Sequence, residues 1–497
     1  HWSGRRRRQR QALAGLGLVL GLLLIGHGWD PRLLSAGVFR SQVKVAKSLD
    51  AWKDRSARER ILLHVDGPDA TVAVLERKGR RVLKVNGKPD ASNRSDMLTQ
   101  VASAHIPLLL HAGPKDVLII GLGSGVTAGS TATHPVQVQV VEISTAVVDA
   151  AALFAADNHD ALRQPSVKLS IDDARSWLRR NERRWDVIIS EPSNPWVAGN
   201  ASLFTCEFFD LVRSRLKPGG LLAQWFHVYE MDDAMLKLVL RTVRSRFEKV
   251  SLWELFPEDL LLVASDRNVG ADLEDLARRM ASTPIEADLA RVGVESPAGL
   301  LALQLLSPTG LDQHLDRAGP LHRDDRPILE FRGARALFHG QKAGWVDGVD
   351  DRQWPVTATN LLLHRWLNTH PLSATQAASM FRFFSRFPSA PSPLRSGLVD
   401  LFRDEIDVDF LCDVLFTLVR DDILEPAGGV ASRLLADASA DPRTLYAVAL
   451  LRDAQANRTK GPGAALVRLT ERHLLLRCVA LGDTKGRCAR TLERRRR

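Results

Sequence analysis

Hydrophobic and polar positions recur with two different periods along the chain, and the change of period divides it. From about Leu62 to Gly87 apolar residues alternate with polar ones on both sides of Lys78–Gly79, which predicts a β-hairpin. The stretch "DMLTQVASAHIPLLL" that follows has helical spacing instead. Together these patterns predict an N-terminal hairpin unit over residues 48–114.

Short apolar runs alternate with helical stretches from Lys115 onward. Five runs are typical of buried strands: "DVLIIGLGSG", "VQVQVVEIS", "VKLSIDD", "WDVIISEPSN" and "GGLLAQWF". "VSLWEL" and "DLLLVASD" are typical of a closing antiparallel pair. This alternation predicts an α/β fold over residues 115–340, with a Rossmann-like, doubly wound and largely parallel sheet.

The two ends of the chain have their own patterns. Residues 341–497 show helical periodicity broken by Pro-containing loops, without a convincing repeat of fixed length. They predict a helical accessory region that ends in a basic tail. At the other end, "RRRRQR" precedes an uncharged apolar run over residues 12–26, which predicts a transmembrane anchor within residues 1–47. A secretory signal and a core helix are the alternatives, but no small-residue cleavage site and no polar face accompany the run.

Composition and charge narrow the class of protein. The chain has 497 residues, 45% hydrophobic and 25% charged, which suits a globular protein of more than one domain. Residues 1–10 and 485–497 contribute +5 and +6 to the net charge of +10, so the remainder is close to neutral. Because no basic patch and no recognition motif lie between the ends, we expect no nucleic-acid partner.

Only four cysteines occur, and they lack the spacing of a metal site. They are Cys206, Cys412, Cys478 and Cys488, without a CxxC pair or a neighbouring His cluster. We therefore expect free thiols, with neither a metal site nor a disulfide framework.

A glycine-rich turn follows the first strand of the predicted sheet. Gly121, Gly123 and Gly125 in "GLGSGVTAG" let the backbone turn sharply and approach a ligand closely. Glu142 ends the second strand, where a carboxylate can accept both hydroxyls of a ribose. The pair predicts a nucleoside site at the carboxyl ends of the strands.

Two acids, Asp172 and Asp173, end the third strand in "IDDAR". A helix N-cap is the common role of such residues, and binding of an adenine amino group is the alternative. The two roles are evenly balanced for Asp172, whereas for Asp173 we favour the ligand.

The fourth strand ends in "SEPSNPWVAGN", which is unusually polar for the end of a core strand. Glu191 is placed to hold an ammonium group and then take its proton, since only a neutral amine is a nucleophile. Asn194 offers an oxygen to the same nitrogen, and Trp196 a ring face to a cation. A capped loop with a buried Trp is the structural alternative.

The ordered set of motifs resembles the spermidine synthase family. "NGKPDASNRSDMLTQ", "AHIPLLLH", "GLGSGVTAG", "VVEIS", "IDDAR", "SEPSNPWVAGNASLFT" and "LKPGG" carry this resemblance over residues 60–340. It is closest to a bacterial subgroup in which a synthase-like domain is fused to membrane helices.

The resemblance implies transfer of an aminopropyl group from decarboxylated S-adenosylmethionine, a co-substrate, to a putrescine-like amine, without a prosthetic group. The glycine turn would cradle the donor, Glu142 hold its ribose and Asp173 its adenine, with Glu191 at the position of the catalytic Asp. It also implies a homodimer formed through the hairpin region. A donor made inside the cell places the globular part in the cytoplasm, at the cell membrane.

The chain departs from the family at the acceptor side. Asn194 replaces a second acid, and Thr99 and Gln100 stand where well-understood members carry a Tyr–His pair. Gln100, Asn194 and Trp196 are accordingly our predicted acceptor contacts.

Two other classes of function stay open. An S-adenosylmethionine-dependent N-methyltransferase shares the fold, and "SNPW" resembles the Asn-Pro-Pro-aromatic signature of amine methyltransferases. A non-catalytic nucleoside sensor on a membrane protein is the third. The hairpin unit favours aminopropyl transfer over methyl transfer, and the carboxylate at Glu191 argues against the sensor.

Overall fold

The computed structural model describes most of the chain after its first thirty residues. The described residues are 30–35, 37, 53, 57–194, 199–256, 258–267, 271–352, 361–385, 392–404, 407–438, 441–458, 462–483 and 486–496. The predicted membrane anchor at 12–26 lies outside them. In the described ranges no helix has both the length and the apolar character that a bilayer span requires.

An antiparallel sheet of four strands precedes the Rossmann-like domain. Its strands pair in chain order: β1 (Arg60–Asp66), β2 (Thr71–Arg77), β3 (Arg80–Val85) and β4 (Lys88–Ser92). The predicted hairpin is its centre, since Lys78 and Gly79 join β2 to β3 with φ of 51° and 74°. Two successive positive φ values match the two-residue turn that suits the twist of a hairpin.

A short helix, α1 (Pro31–Leu34), precedes β1. Helix α2 (Met97–Leu110) links the four-stranded sheet to the main domain and is buried at 12 of its 14 positions. A buried polar network fixes the C-terminal half of α2. His105 Nε2 lies 2.8 Å from Asp288 Oδ2, and His105 Nδ1 lies 2.8 Å from His134 Nε2. Because a buried polar group is costly without a partner, this network holds α2 in one position.

The main domain contains an eight-stranded mixed sheet in the order β12-β10-β11-β9-β8-β5-β6-β7. Its strands are β5 (Asp116–Ile120), β6 (Gln137–Glu142), β7 (Val167–Ile171), β8 (Trp185–Ser190), β9 (Leu216–His227), β10 (Lys249–Phe256), β11 (Asp259–Ser265) and β12 (Gln304–Leu306). Strands β5 to β9 are parallel, and β10 and β11 form the expected antiparallel pair. The predicted sheet is confirmed, apart from the short edge strand β12, which the sequence pattern did not reveal.

Helices cover both faces of this sheet. They are α3 (Val126–Ala132), α4 (Thr145–Ala152), α5 (Ala174–Arg180), α6 (Cys206–Ser214), α7 (Asp233–Arg244), α8 (Leu273–Met280), α9 (Thr283–Ala290), α10 (Pro297–Leu301), α11 (Pro308–His314) and α12 (Ile328–His339). Two separate buried clusters, one on each face of the sheet, hold the layers together.

The C-terminal region is helical, as expected. Its helices are α13 (Leu362–Leu367), α14 (Ala374–Phe384), α15 (Ser392–Phe402), α16 (Val408–Arg420), α17 (Leu424–Ala438), α18 (Pro442–Arg458), α19 (Pro462–Ala480) and α20 (Arg487–Arg496). Consecutive helices pack as pairs, α14 with α15, α16 with α17 and α18 with α19.

These pairs form a repeat, which the sequence analysis missed. The first helices of the three pairs follow Ser373, Asp407 and Asp441, each 34 residues after the last. The side chain of each of these three residues accepts a hydrogen bond from the backbone amide three positions later. Buried positions recur at the same interval, as at Ala377, Leu411 and Leu445. The repeat escaped detection because only burial and capping recur, while the residue types change.

The cysteine prediction was wrong for two of the four thiols. Cys478 and Cys488 form a disulfide between α19 and α20, whereas Cys206 and Cys412 are free and buried. A separation of ten residues resembles no metal or redox motif, so only the packing of the two helices reveals the pair.

Candidate active site

A cavity of about 720 Å³ opens at the carboxyl ends of β5, β6 and β8 and is covered by the N-terminal sheet. Residues of the hairpin, among them Arg80, Val82 and Asn86, line the side opposite the strand ends. A cavity of this size, placed at the carboxyl ends of parallel strands, has the position and volume of a small-molecule site.

The glycine turn forms one wall of the cavity through Gly121 and Gly123. Gly121 has φ of 92°, and a Cβ added there would lie 2.6 Å from the carbonyl oxygen of Glu191, so a larger residue does not fit. Gly125, by contrast, lies outside the cavity lining: it precedes α3, and a Cβ there would lie 2.8 Å from Asn158 Nδ2. Its role is to let the turn pack closely against the loop before β7.

Glu142 lies in the cavity wall beside the glycine turn. Its Oε2 accepts a hydrogen bond of 2.8 Å from the amide of Leu122, and its Oε1 one of 2.9 Å from the amide of Ser144. Burial raises the pKa of this carboxyl, and the hydrogen bonds from the backbone partly offset the rise. Each oxygen keeps a second lone pair, so the group remains able to accept hydroxyls.

The two acids after β7 are only partly available to a ligand. Asp173 Oδ1 accepts a hydrogen bond of 2.8 Å from the amide of Ser176 and so caps α5. Asp172 forms an ion pair with Arg180. Both line the cavity. The structural role that the sequence analysis weighed against adenine binding is therefore present at Asp173, and adenine binding stays a prediction.

Glu191 follows β8 and faces the cavity from its inner end. Burial raises the pKa of this carboxyl to about 7, while interactions with the hydroxyls of Thr127 and Ser103 act in the opposite direction. Its amide donates a hydrogen bond of 2.9 Å to the carbonyl of Ile120, which ties it to the glycine turn. A carboxyl group with a pKa near neutrality both accepts and releases a proton readily.

The three predicted acceptor contacts differ in their position relative to the cavity. Gln100 lines the cavity, but its amide already joins the hairpin sheet to the glycine turn: Nε2 donates to the carbonyl of Ser92 at 3.0 Å, and Oε1 accepts from Ser124 Oγ. Asn194 is fully buried and is not part of the lining. Trp196 lies outside the described residues. The acceptor role of each stays a prediction.

The sequence analysis missed most of the carboxylates of the cavity. Nine acidic residues line it, and among the described lining residues only Arg80 is basic. The acids are Asp69, Asp90, Asp96, Glu142, Asp172, Asp173, Glu191, Glu258 and Asp259. Ion pairs with Lys88 and Arg180 partly neutralise Asp90 and Asp172. Burial also raises the pKa of Asp96, Glu142, Glu191 and Asp259. Acidic groups still outnumber basic ones in the lining, which favours cationic ligands.

Asp259 is the most informative of the missed acids. It begins β11, is buried, and accepts a hydrogen bond of 2.8 Å from Thr99 Oγ1. Burial raises its pKa to about 7, and the negative charge of Asp96 raises it further against the effect of Thr99. The pKa of Asp96 is also raised by burial, although hydrogen bonds from Ser92 oppose the shift.

Helix α2 passes close to both carboxyls with a pKa near 7. Thr99 donates a hydrogen bond of 2.8 Å to Asp259. The hydroxyl of Ser103, one helical turn later, lowers the pKa of Glu191 but has no hydrogen-bond partner among the described residues. Three aromatic side chains, Trp225, Tyr229 and Phe256, also line the cavity, with Phe256 only three residues before Asp259.

Comparison with known proteins gives matches over this part of the chain. The model of the Spermine/spermidine synthase domain matches residues 98–256. A polyamine aminopropyltransferase of Leptospira biflexa is 30% identical over 197 residues, which is 37% of this chain and 70% of that protein. A spermidine synthase of Dictyostelium discoideum is 29% identical over 178 residues, 34% of this chain and 62% of that protein.

Among solved structures, the spermidine synthase of Thermotoga maritima is similar with a TM-score of 0.40. Its identity is 22%, and the match covers 45% of this chain and 79% of that one. The domain match ends at residue 256, so it does not reach the 34-residue repeats.

Proposed function

The chain belongs to the spermidine synthase family of polyamine aminopropyltransferases, and on that premise we propose the reaction of its cavity. The donor is decarboxylated S-adenosylmethionine, and the acceptor is a short linear diamine. The products are methylthioadenosine and the aminopropylated amine. This reaction needs a site for a sulfonium nucleoside next to a site for an amine.

The acidity of the cavity is the observation that carries the proposal. Nine carboxylates and a single guanidinium line it. Decarboxylated S-adenosylmethionine carries a sulfonium and an ammonium and no carboxylate, so every charge on it is attracted to this wall. Intact S-adenosylmethionine brings a carboxylate into the same surroundings, and like charges in a low-dielectric site are strongly disfavoured.

Glu191 supplies the base. An ammonium has no lone pair, so the acceptor nitrogen must first give a proton to the Glu191 carboxylate. The neutral nitrogen then attacks the carbon next to the sulfonium, the carbon–sulfur bond breaks, and its electron pair stays on sulfur. The pKa of about 7 suits this step, because the carboxyl is substantially ionised at neutral pH and is basic enough to take the proton.

Asp259 holds the other end of the acceptor. It accepts a hydrogen bond from Thr99, which lies one helical turn of α2 before Ser103, and the Ser103 hydroxyl lowers the pKa of Glu191. An ammonium at Asp259 would leave the second nitrogen of a short diamine at Glu191. Asp259, at the start of β11, would thus take the place of the second acid that Asn194 replaces.

Calorimetric titration of the full chain with the two donors tests the donor assignment. We expect decarboxylated S-adenosylmethionine to bind at least tenfold more tightly than the intact form, which corresponds to about 1.4 kcal/mol. Methylthioadenosine release on addition of 1,4-diaminobutane tests the reaction itself. Tighter binding of the intact donor, with methyl transfer to an amine, would contradict the proposal in favour of a methyltransferase. Binding of either donor without turnover on any amine would leave a sensor.

A further inference from the structure

The last helix pair of the repeat array exposes an unusual concentration of apolar side chains. Seven large hydrophobic side chains are strongly exposed among the described residues, and three of these lie within six positions. They are Leu476, Val479 and Leu481, which are 48%, 40% and 45% exposed. Single exposed hydrophobic residues are ordinary, but a contiguous group marks an interaction surface.

Helix α19 is apolar on two sides at its C-terminal end. Leu474, Leu475 and Cys478 are buried against the array. Leu476 and Val479 point outward, one and two turns after Arg472 on the same stripe. A surface helix normally keeps its large apolar side chains on the buried side. Leu476 and Val479 depart from this rule, because both are exposed.

Positively charged side chains are exposed on the same two helices, α19 and α20. Arg472 and Arg477 are exposed on α19, and Arg490 and Arg494 are exposed on α20. Neither Arg472 nor Arg477 has an ion-pair partner in the part of the chain that the structure describes. Residues 441–497 contain fourteen Lys or Arg against five Asp or Glu, whereas residues 341–440 contain nine against thirteen. The positive charge is therefore specific to the end of the array.

The disulfide keeps the two helices together. Cys478 and Cys488 are both buried, and the amide of Cys488 donates a hydrogen bond of 2.6 Å to Asp483 Oδ2 in the turn between the helices. Leu481 lies in that turn. The apolar strip on α19 and the arginines on α20 consequently belong to one rigid hairpin. We call the exposed residues Arg472, Leu476, Arg477, Val479 and Leu481 the terminal face.

We propose that the terminal face docks the protein onto an anionic lipid surface. Arginines would meet the phosphate and carboxylate headgroups, while Leu476, Val479 and Leu481 would enter the boundary with the acyl chains. A second copy of the chain fits less well, because a symmetric contact would bring the arginines of both copies together. Nucleic acid would satisfy the arginines and leave the leucine and valine side chains without an apolar partner.

Vesicle sedimentation of the full chain tests this docking. The measured quantity is the ratio of binding to phosphatidylcholine vesicles with and without 30 mol% phosphatidylserine. This ratio removes the contribution of the apolar run at 12–26, which is expected to bind either bilayer. The arginines of residues 1–10 add a preference for anionic vesicles that the variants below leave unchanged. We expect a preference of about tenfold for the anionic vesicles at low salt, and its loss at high salt.

Two variants and two controls assign the effect to the terminal face. Arg472→Glu with Arg477→Glu, and separately Leu476→Glu with Val479→Glu, should each reduce the preference. Arg472→Lys with Arg477→Lys should keep it, and so should Phe331→Glu, which alters the most exposed hydrophobic residue outside this region. Unchanged unfolding temperatures establish that the variants are folded.

Several outcomes would overturn the proposal. They are equal binding to both vesicle types, and equal loss of the preference in the Phe331→Glu control. If the protein self-associates in a concentration-dependent way, and Leu476→Glu with Val479→Glu abolishes this association, the terminal face binds a second copy of the chain instead. Donor binding in the cavity is measured in parallel, and because it is independent of vesicles, failure of this proposal is distinguishable from failure of the proposed reaction.

Discussion

The two ends of the cavity hold their carboxylates in different ways. At the proposed donor end, Glu142 accepts hydrogen bonds from the amides of Leu122 and Ser144. At the proposed acceptor end, Asp259 accepts a hydrogen bond from the hydroxyl of Thr99, and the hydroxyls of Thr127 and Ser103 lower the pKa of Glu191. A backbone amide is fixed in position and can only donate a hydrogen bond. A side-chain hydroxyl can rotate and serves either as donor or as acceptor.

This difference separates binding from proton transfer. The carboxyl of Glu142, whose pKa is also raised by burial, accepts hydrogen bonds from two fixed amides and keeps its remaining lone pairs for neutral hydroxyls. A carboxyl group surrounded by hydroxyls tolerates both protonation states, and burial places the pKa of Glu191 and Asp259 at about 7. Under the proposed reaction, the first arrangement suits binding of the donor, and the second suits proton exchange with an amine.

The largest effect is expected from Glu191→Gln. The amide keeps the size of the side chain but cannot accept the proton of the acceptor ammonium, so kcat should fall by about 10²–10⁴-fold. Donor affinity, measured by calorimetry, should stay within a few-fold. A loss of donor binding with normal kcat would place Glu191 at the wrong end of the cavity.

Glu142→Gln is the reciprocal change and the matched control. Replacing one carboxylate oxygen by an amide removes an acceptor from the nucleoside hydroxyls and from one backbone amide, which costs about 1–3 kcal/mol. The dissociation constant of the donor should therefore rise by about one to two orders of magnitude, with kcat at saturating donor little changed. Unaltered donor affinity would show that Glu142 serves only the fold.

Asp259→Asn sharpens the acceptor side of the comparison. We expect KM for 1,4-diaminobutane to rise about tenfold, as an attraction of about 1.4 kcal/mol is lost, while KM for the monoamine butylamine stays the same. The test is the ratio of kcat/KM for the two amines. If the substitution lowers kcat/KM equally for 1,4-diaminobutane and for butylamine, Asp259 does not bind the remote ammonium.

The same variant should have a smaller effect on stability, with a defined pH dependence. The folded-state pKa of Asp259, about 7, lies above its ordinary value of 3.8, so the folded protein binds this proton more tightly than the unfolded chain does. The resulting stabilisation is complete below about pH 4 and is lost as the pH rises to 7. Asp259→Asn should accordingly raise the unfolding temperature by a few degrees at pH 8 and change it little at pH 4.5. A pH-independent shift would contradict the raised pKa.

The position of the glycine turn and of Glu142 in the cavity wall could be predicted from the sequence, because it depends on local patterns. Gly121, Gly123 and Glu142 sit at strand ends, where period and position alone predict a shared crevice. Asp259 is joined to Thr99 across 160 residues, and no pattern along the chain connects them. Its signal was present only as a lone acid at the start of a predicted buried strand.

The repeats of the C-terminal region were hidden for a related reason. Ser373, Asp407 and Asp441 differ in type but perform one function, and Ala377, Leu411 and Leu445 differ in size but fill one position. A search for equal residues misses such a series, whereas the spacing of caps reveals it.

The contact between Gly121 and Glu191 restricts how such an enzyme can be altered. The amide of Glu191 is bonded to the carbonyl of Ile120 at 2.9 Å, and no side chain fits between Gly121 and the Glu191 carbonyl. A mutation that reshapes the turn for a different nucleoside would therefore displace the base as well. Laboratory evolution toward new donors should therefore recover activity only in variants that change the glycine turn and the segment around Glu191 together. Transferring both segments at once from a related protein should reach the same result in fewer steps.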